Sequence, residues 1–182
     1  MQQSTKAILL TGGLLLIYAA SKATANKYLN FAPGVALKLG VAANALQNAG
    51  IDATRLKFAL SQLLLETGQF TKASNVSTLN NNFSGIRYIN KPYQKATQGS
   101  PVPPSERIAP ANNPLNYYAK FASVQDWAND YKRILSLKSQ PIKAETLTDF
   151  NARLALNGYY DTRRPNAANN YYNLLKFYFS KL

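Results

Sequence analysis

The sequence predicts a mainly α-helical domain with one irregular or β-hairpin insertion, preceded by an N-terminal hydrophobic helix. Three observations predict this architecture. Apolar side chains recur at helical spacing in five separate stretches after residue 30. The tract between residues 87 and 116 holds six prolines, which excludes a continuous helix there. An almost unbroken apolar run occupies residues 7–20, close to the start of the chain.

The first 26 residues have the composition of a membrane anchor or a secretory signal. The apolar run 7–20 is shorter than the roughly 17–25 residues that cross a bilayer. Extended to residues 5–25 it reaches that length, with a lysine near each end that can reach the lipid headgroups. The same stretch ends in Ala-Thr-Ala at 23–25, which is typical of a signal-peptide cleavage site, and a buried helix of a soluble domain is the third interpretation. We therefore expect an anchor or signal at 1–26 and a domain at 27–182 that is membrane-associated or exported.

Two helices are predicted at the start of this domain. Residues 35–49 carry apolar side chains at helical spacing, and Gly50 ends that helix. Asp52 or Thr54 can cap a second helix, whose leucine-rich stripe continues to a stop at Gly68.

The remaining chain alternates between turn-rich segments and helices. Residues 71–85 are rich in Ser, Asn and Thr, which favour turns, and residues 87–116 are expected to form an irregular loop or a short hairpin. Helical spacing returns after a cap at Ser123, then in residues 146–157 and again in 170–182. The insertion is therefore expected between the second and third helices of the domain.

The composition excludes several kinds of chemistry. The chain contains no histidine and no cysteine, so a Ser-His-Asp triad, a Cys-His nucleophile, a His- or Cys-ligated zinc site and a disulfide are all impossible. We expect no metal and no cofactor. The formal net charge of +13 predicts affinity for anionic envelope polymers. Because the basic residues are scattered singly or in pairs, no specific nucleic-acid site is expected.

Acid–base chemistry in this chain must fall to carboxylates, lysines or tyrosines. Polar faces or first turns of predicted helices account for four of the acids, Asp126, Asp130, Glu145 and Asp149. Glu66 differs, because it follows three leucines at the C-terminal end of an apolar helix. Partial desolvation and the negative helix end both raise a carboxyl pKa and keep the group protonated. This pattern suggests a general acid, with a solvated surface glutamate as the alternative.

Several short motifs occur in an order that resembles one known family. They are LLLETG at 63–68, NNFSGI at 81–86, YAKFAS at 118–123, WANDYKRIL at 127–135 and NGYY at 157–160. Together they resemble the glucosaminidase domains of the lysozyme-like superfamily, also called glycoside hydrolase family 73, over nearly the whole domain. The resemblance implies a lysozyme-like helical fold. It also implies cleavage of β-1,4 glycosidic bonds in peptidoglycan, in the manner of an endo-β-N-acetylglucosaminidase.

The resemblance further implies roles for individual residues. Glu66 matches the family's catalytic acid, and Glu106 stands near the position of its second carboxylate, with a solvated loop glutamate as the alternative. Tyr159 matches the tyrosine that lines the cleft beside the acid, and a packing tyrosine is the alternative. Asn82 and Gly85 are expected to shape the cleft floor, with Asn82 tying its loop to the catalytic helix.

One departure from the family pattern concerns the aromatic wall of the sugar site. The residue before Gly85 is Ser84, and the phenylalanine stands one place earlier at Phe83, which we expect to contact substrate. Further ring faces for the sugars are expected from Tyr88, Tyr93, Trp127 and Tyr159. The proline-rich insertion aligns poorly, which leaves open whether cleavage uses Glu106 as base, a covalent intermediate or the substrate's own acetamido group.

Two other functions stay open. Lytic transglycosylases and muramidases also use a glutamate at a helix end, and the transglycosylases need no second carboxylate. A basic, membrane-anchored structural or nucleic-acid-binding protein without catalysis is the second alternative. For the enzyme we expect peptidoglycan as substrate, membrane contact through residues 5–25, and a setting in a bacterial envelope or a phage virion.

Overall fold

The computed structural model describes residues 26–70, 79–159 and 166–182. These residues form five α-helices and a two-stranded antiparallel sheet. The helices are α1 (Pro33–Asn48), α2 (Ala53–Thr67), α3 (Val124–Leu135), α4 (Leu147–Leu156) and α5 (Ala167–Lys181), and the strands are β1 (Ala96–Pro101) and β2 (Tyr117–Phe121). The prediction of a mainly helical domain is confirmed. The predicted N-terminal hydrophobic helix lies outside the described residues.

Helix α2 begins and ends where the sequence predicts. The Asp52 carboxylate caps its first turn by accepting hydrogen bonds from the backbone N–H groups of Thr54 and Arg55, both at 3.0 Å. Gly68 ends the helix in the left-handed conformation, at φ 54° and ψ 53°, which a residue without a Cβ adopts at little cost. This stop places Glu66 in the last turn of the helix.

Hydroxyl caps start α3 and α4. Ser123 Oγ accepts from the N–H of Asp126 at 3.0 Å and donates to the carboxylate of the same residue at 2.6 Å. Thr146 Oγ1 accepts from the N–H of Asp149 at 3.1 Å. Both acids therefore lie in first turns, as predicted, where the helix dipole favours negative charge.

Replacing Ser123 by alanine is expected to lower the free energy of unfolding by about 1 kcal/mol, because the N–H of Asp126 loses its acceptor. Chemical denaturation of the full-length chain measures this change. Ser180→Ala is the control, since that exposed hydroxyl donates to a carbonyl oxygen near the end of α5, and it should stay within about 0.5 kcal/mol of wild type. Equal effects in the two variants would contradict the capping role.

The insertion between α2 and α3 contains a β-hairpin within an otherwise irregular tract. Strand β1 pairs antiparallel with β2, with Ala96 opposite Phe121, and the register shifts between Gln98 and Pro101. The expected hairpin is therefore present, although its second strand lies wholly after residue 116 and ends shortly before the Ser123 cap. The hairpin carries the proline-rich loop to the side of the molecule where α2 ends.

Apolar faces of the helices form the core. Helix α1 packs on α2 and α3, and α5 packs on α2 and α4. Trp127 and Tyr131 of α3 are fully buried and stack, with ring centroids 5.7 Å apart and planes inclined by 19°.

Helix α5 starts at Ala167, three residues before the predicted stretch. In the described ranges, no helix combines the length and the hydropathy needed to span a bilayer.

Candidate active site

A cleft of about 650 Å³ opens beside the last turn of α2. Its volume lies within the range of ordinary ligand pockets, roughly 300–1,000 Å³. Residues of α2, of the loop after residue 83, of the insertion and of α3 line it, among them Glu66, Gly85, Arg87, Glu106, Arg133 and Tyr159. The fold thus brings five of the residues singled out from the sequence to one cavity: Glu66, Gly85, Tyr93, Glu106 and Tyr159.

Glu66 is the acidic side chain that α2 presents to this cleft. The hydroxyl of Tyr171 on α5 donates a hydrogen bond to Glu66 Oε1 at 2.5 Å. Glu66 is exposed at the cleft, although the protein around it displaces part of its water. Burial therefore raises the pKa of Glu66 above the ordinary 4.5, and the hydrogen bond from Tyr171 opposes that rise. A carboxyl group in this state can stay protonated and act as a proton donor.

The negative charge of Glu66 raises the pKa of three nearby tyrosines, Tyr131, Tyr159 and Tyr171. Burial raises the pKa of Tyr159 and of Tyr171, and the negative charge of Glu66 adds to both effects. Burial also raises the pKa of Tyr131, with smaller contributions from Tyr159 and Glu66. The three hydroxyl groups are therefore neutral near pH 7 and available as hydrogen-bond donors.

Glu106 stands on the insertion and lines the same cleft as Glu66. Its Oε2 atom lies 2.7 Å from Arg87 Nη2, in an ion pair whose two side chains are partly exposed. Arg87 also donates to the carbonyl oxygens of Leu115 at 2.9 Å and Glu106 at 3.3 Å. Because Arg87 contacts both the backbone and the side chain of Glu106, it fixes the second carboxylate at the edge of the cleft.

Asn82 organises the loop that contributes Gly85 to the cleft. Its side chain donates to the carbonyl oxygens of Ile86 at 2.8 Å and Ala119 at 3.0 Å, and accepts from the Ile86 N–H at 3.0 Å. The predicted tie to the catalytic helix is wrong, because these bonds join the loop to β2 instead. Gly85 itself has φ 67°, a conformation that favours glycine and lets the backbone turn at the cleft wall.

Two aromatic side chains expected at the sugar site lie in the core. Phe83 is 5% exposed and packs between Phe70 and Trp127, with ring centroids 6.0 and 5.1 Å away. Trp127 is fully buried, and its Nε1 atom donates to Ser84 Oγ at 2.9 Å. The prediction that these rings contact substrate is wrong, because both are buried in the core and neither lines the cleft.

The two tyrosines expected on the insertion have different surroundings. Tyr93 lines the cleft, is 57% exposed and lies 4.7 Å from the Arg133 guanidinium, measured to the ring centre. Tyr88 stands outside the cleft lining and donates to Asn90 Oδ1 at 2.8 Å. Tyr88 is partly buried and packs against the apolar core instead.

Asp130 is buried, contrary to the polar surface position predicted for it. It is 4% exposed, and its Oδ1 atom accepts from Arg133 Nε at 2.6 Å. Burial raises the pKa of Asp130, and the hydrogen bond and charge of Arg133 oppose that rise. The pair holds Arg133 at the cleft wall beneath Tyr93.

Sequence reasoning missed several residues of this site: Gln62, Arg87, Arg133 and Tyr171. A weak signal exists for Gln62, because its spacing of four from Glu66 places both side chains on one face of α2. Nothing local identifies Tyr171, which is 105 residues from Glu66 in the chain.

Comparison of the chain with protein-family models, curated proteins and solved structures finds no match. The resemblance to the glucosaminidase domains therefore stays a prediction, as does the boundary after residue 26. Among the described residues, no three acidic side chains form a group that could hold a metal ion. The proposal for the function of this chain therefore rests on the residues that line the cleft.

Proposed function

We propose that the chain is a glycosidase with a lysozyme-like fold that cleaves β-1,4 bonds in the glycan strands of peptidoglycan. The observation that carries the proposal is Glu66, a carboxyl group with a raised pKa at the end of a buried helix, facing an open cleft. Glu106 on the facing loop supplies a second carboxylate in the same cleft. Most glycoside hydrolases use a pair of carboxylates in one cleft.

The chemistry assigned to Glu66 is proton donation to the glycosidic oxygen as the bond to the sugar breaks. The transition state has oxocarbenium character, so a negative group on the other side of the sugar stabilises it. In the proposed mechanism, Glu106 supplies that charge or activates water. Tyr93 and Tyr159 line the cleft and offer ring surfaces for the sugars.

A lytic transglycosylase is the second candidate, and the ion pair of Glu106 favours it. Arg87 already engages the Glu106 carboxylate at 2.7 Å, whereas the transglycosylase reaction requires Glu66 alone. The two candidates differ in product. Hydrolysis leaves a reducing sugar end, whereas transglycosylation closes an anhydro-muramyl ring.

The proposed setting is a bacterial envelope or a phage virion, with peptidoglycan as the substrate. The net charge of +13 supports attraction to anionic envelope polymers. The apolar residues within 5–25 support contact with a membrane, as an anchor or as an export signal.

Product analysis on purified peptidoglycan tests the proposal. We expect the full-length wild type to release fragments with reducing N-acetylglucosamine ends. Glu106→Gln should lower this rate by about 10²-fold or more if Glu106 serves as base. Anhydro-muramyl products together with an active Glu106→Gln variant would assign the chain to the transglycosylases. No release from several types of cell wall, combined with salt-sensitive DNA binding, would favour a non-catalytic binding protein.

A further inference from the structure

The hydrogen bonds at Glu66 continue into the core. Gln62 and Glu66 stand one helical turn apart on α2, so one neighbouring side chain can reach both. The Tyr171 hydroxyl does so: it donates to Glu66 Oε1 at 2.5 Å and accepts from Gln62 Nε2 at 3.5 Å. Gln62 Oε1 in turn accepts from the Tyr131 hydroxyl at 2.5 Å. One chain of hydrogen bonds therefore runs from Tyr131 through Gln62 and Tyr171 to the acid.

Gln62 sets the direction of this chain. Gln62 and Tyr131 are both fully buried, so their polar atoms must be satisfied inside the protein. With Tyr131 donating to Gln62 Oε1, the amide offers an N–H to Tyr171, whose own hydrogen is then directed at Glu66. Glu66 Oε1 is thereby occupied as an acceptor, which leaves Oε2 as the oxygen that carries the acidic proton.

We propose that Tyr171, held by Gln62 and Tyr131, is a positioning residue that fixes the Glu66 carboxyl group and leaves Oε2 to deliver the proton. This inference rests on the proposed role of Glu66 as the acid. The hydrogen bond also stabilises the charged carboxylate, so it limits the pKa rise that burial causes. Tyr171 therefore affects both the orientation and the strength of the acid.

Other titratable or charged side chains face Glu66 from the elements around it. They are Tyr159 after α4, Tyr131 and Arg133 of α3, Tyr171 of α5, and Arg87, Tyr93, Glu106 and Tyr118 from the insertion and β2. Within the described part of the chain, Tyr171 is the one that donates a hydrogen bond to the Glu66 carboxyl group. Removing its hydroxyl should therefore change Glu66 directly and leave the other groups in place.

The test compares Tyr171→Phe with the wild type in the full-length chain. We expect the pKa of Glu66, followed by NMR of its labelled carboxyl carbon, to rise, because the charged form loses a donated hydrogen bond. The alkaline limb of the pH–rate profile on purified peptidoglycan should move to higher pH with it. The rate at the optimum should fall about 10-fold, as expected for loss of a hydrogen bond to an ionisable group.

Tyr172→Phe is the matched control, because this neighbouring hydroxyl lies 3.1 Å from Thr148 Oγ1, on α4. It should change neither the Glu66 pKa nor the profile. Tyr131→Phe should raise the Glu66 pKa less than Tyr171→Phe does, since it frees the Gln62 amide without removing the direct bond.

Two outcomes separate this inference from the proposed function. An unchanged Glu66 pKa in Tyr171→Phe overturns the inference, even where the wild type cleaves peptidoglycan. A wild type that cleaves no peptidoglycan overturns the proposed function and the proton-donating role. In that case the pKa comparison still decides whether Tyr171 holds the carboxyl group.

Discussion

Replacing Glu66 by glutamine is expected to reduce the rate of peptidoglycan cleavage by about 10²–10⁴-fold, the contribution typical of a general acid. The amide has nearly the shape of the carboxyl group, and its oxygen can still accept the hydrogen bond from Tyr171, so the fold should persist. The variant loses only the proton that can be given to the glycosidic oxygen. Release of soluble fragments from purified peptidoglycan by the full-length variant measures the effect.

Glu145→Gln is the matched control for this variant. Glu145 is exposed and lies outside the cleft, so the substitution makes the same change in charge without touching the site. Its rate should equal that of the wild type. Similar rates in Glu66→Gln and Glu145→Gln would contradict the assignment of Glu66 as the acid.

Glu66→Gln should also differ from the wild type in how its stability depends on pH. Burial raises the pKa of Glu66 in the folded state above the ordinary 4.5 of the unfolded chain, so the folded protein holds this proton more tightly. The stabilisation from the protonated group is complete below that ordinary value and is lost as the pH rises through the folded-state pKa. Glutamine has no proton to lose, so denaturation of Glu66→Gln should show a smaller decline in stability across that interval.

Truncating Trp127 to alanine is expected to lower the free energy of unfolding by about 3–5 kcal/mol, which is typical of emptying a buried aromatic site. The indole is fully buried, stacks on Tyr131 and contacts Phe83. Its removal leaves a cavity and takes away the donor that Ser84 Oγ binds. Because Trp127 is the single tryptophan of the chain, circular dichroism during urea denaturation, and not tryptophan fluorescence, should follow the transition.

Two further variants test the source of this stability. Leu156→Ala removes an apolar side chain that is 74% exposed, and it should stay within about 0.5 kcal/mol of wild type. Trp127→Phe keeps an aromatic ring in the core but loses the hydrogen bond to Ser84, so its stability should fall between those of Trp127→Ala and the wild type. A Trp127→Ala variant as stable as Leu156→Ala would contradict the described core.

The ends of the helices were predictable because their signals are local. An aspartate cap, a left-handed glycine and a hydroxyl cap each act within a few residues of themselves, and Asp52, Gly68 and Ser123 all stand where such signals were expected. The same locality explains the prediction of Glu66. Its position after three leucines at a helix end is visible in the sequence, and this position predicts the partial desolvation of its carboxyl group.

Side-chain burial was less predictable where a residue belongs to a short loop or a polar helix face. Phe83 and Trp127 were expected to face substrate, but they pack against each other in the core. Asp130 was expected on the surface, but it pairs with Arg133 inside. Phe83 and Trp127 belong to different elements, so periodicity within one segment carries no information about their contact. Asp130 and Arg133 lie three residues apart on α3, and the burial of the acid depends on the elements packed around that helix.

The sequence by itself determined the helical class of this protein, the bounds of α2, and the acid at the end of that helix. Only the tertiary structure decided which groups meet that acid. Glu106 reaches the cleft because the insertion folds back as a hairpin, and Tyr171 reaches it because α5 packs along α2. Such contacts depend on the burial of apolar area summed over whole helices, which no local pattern specifies.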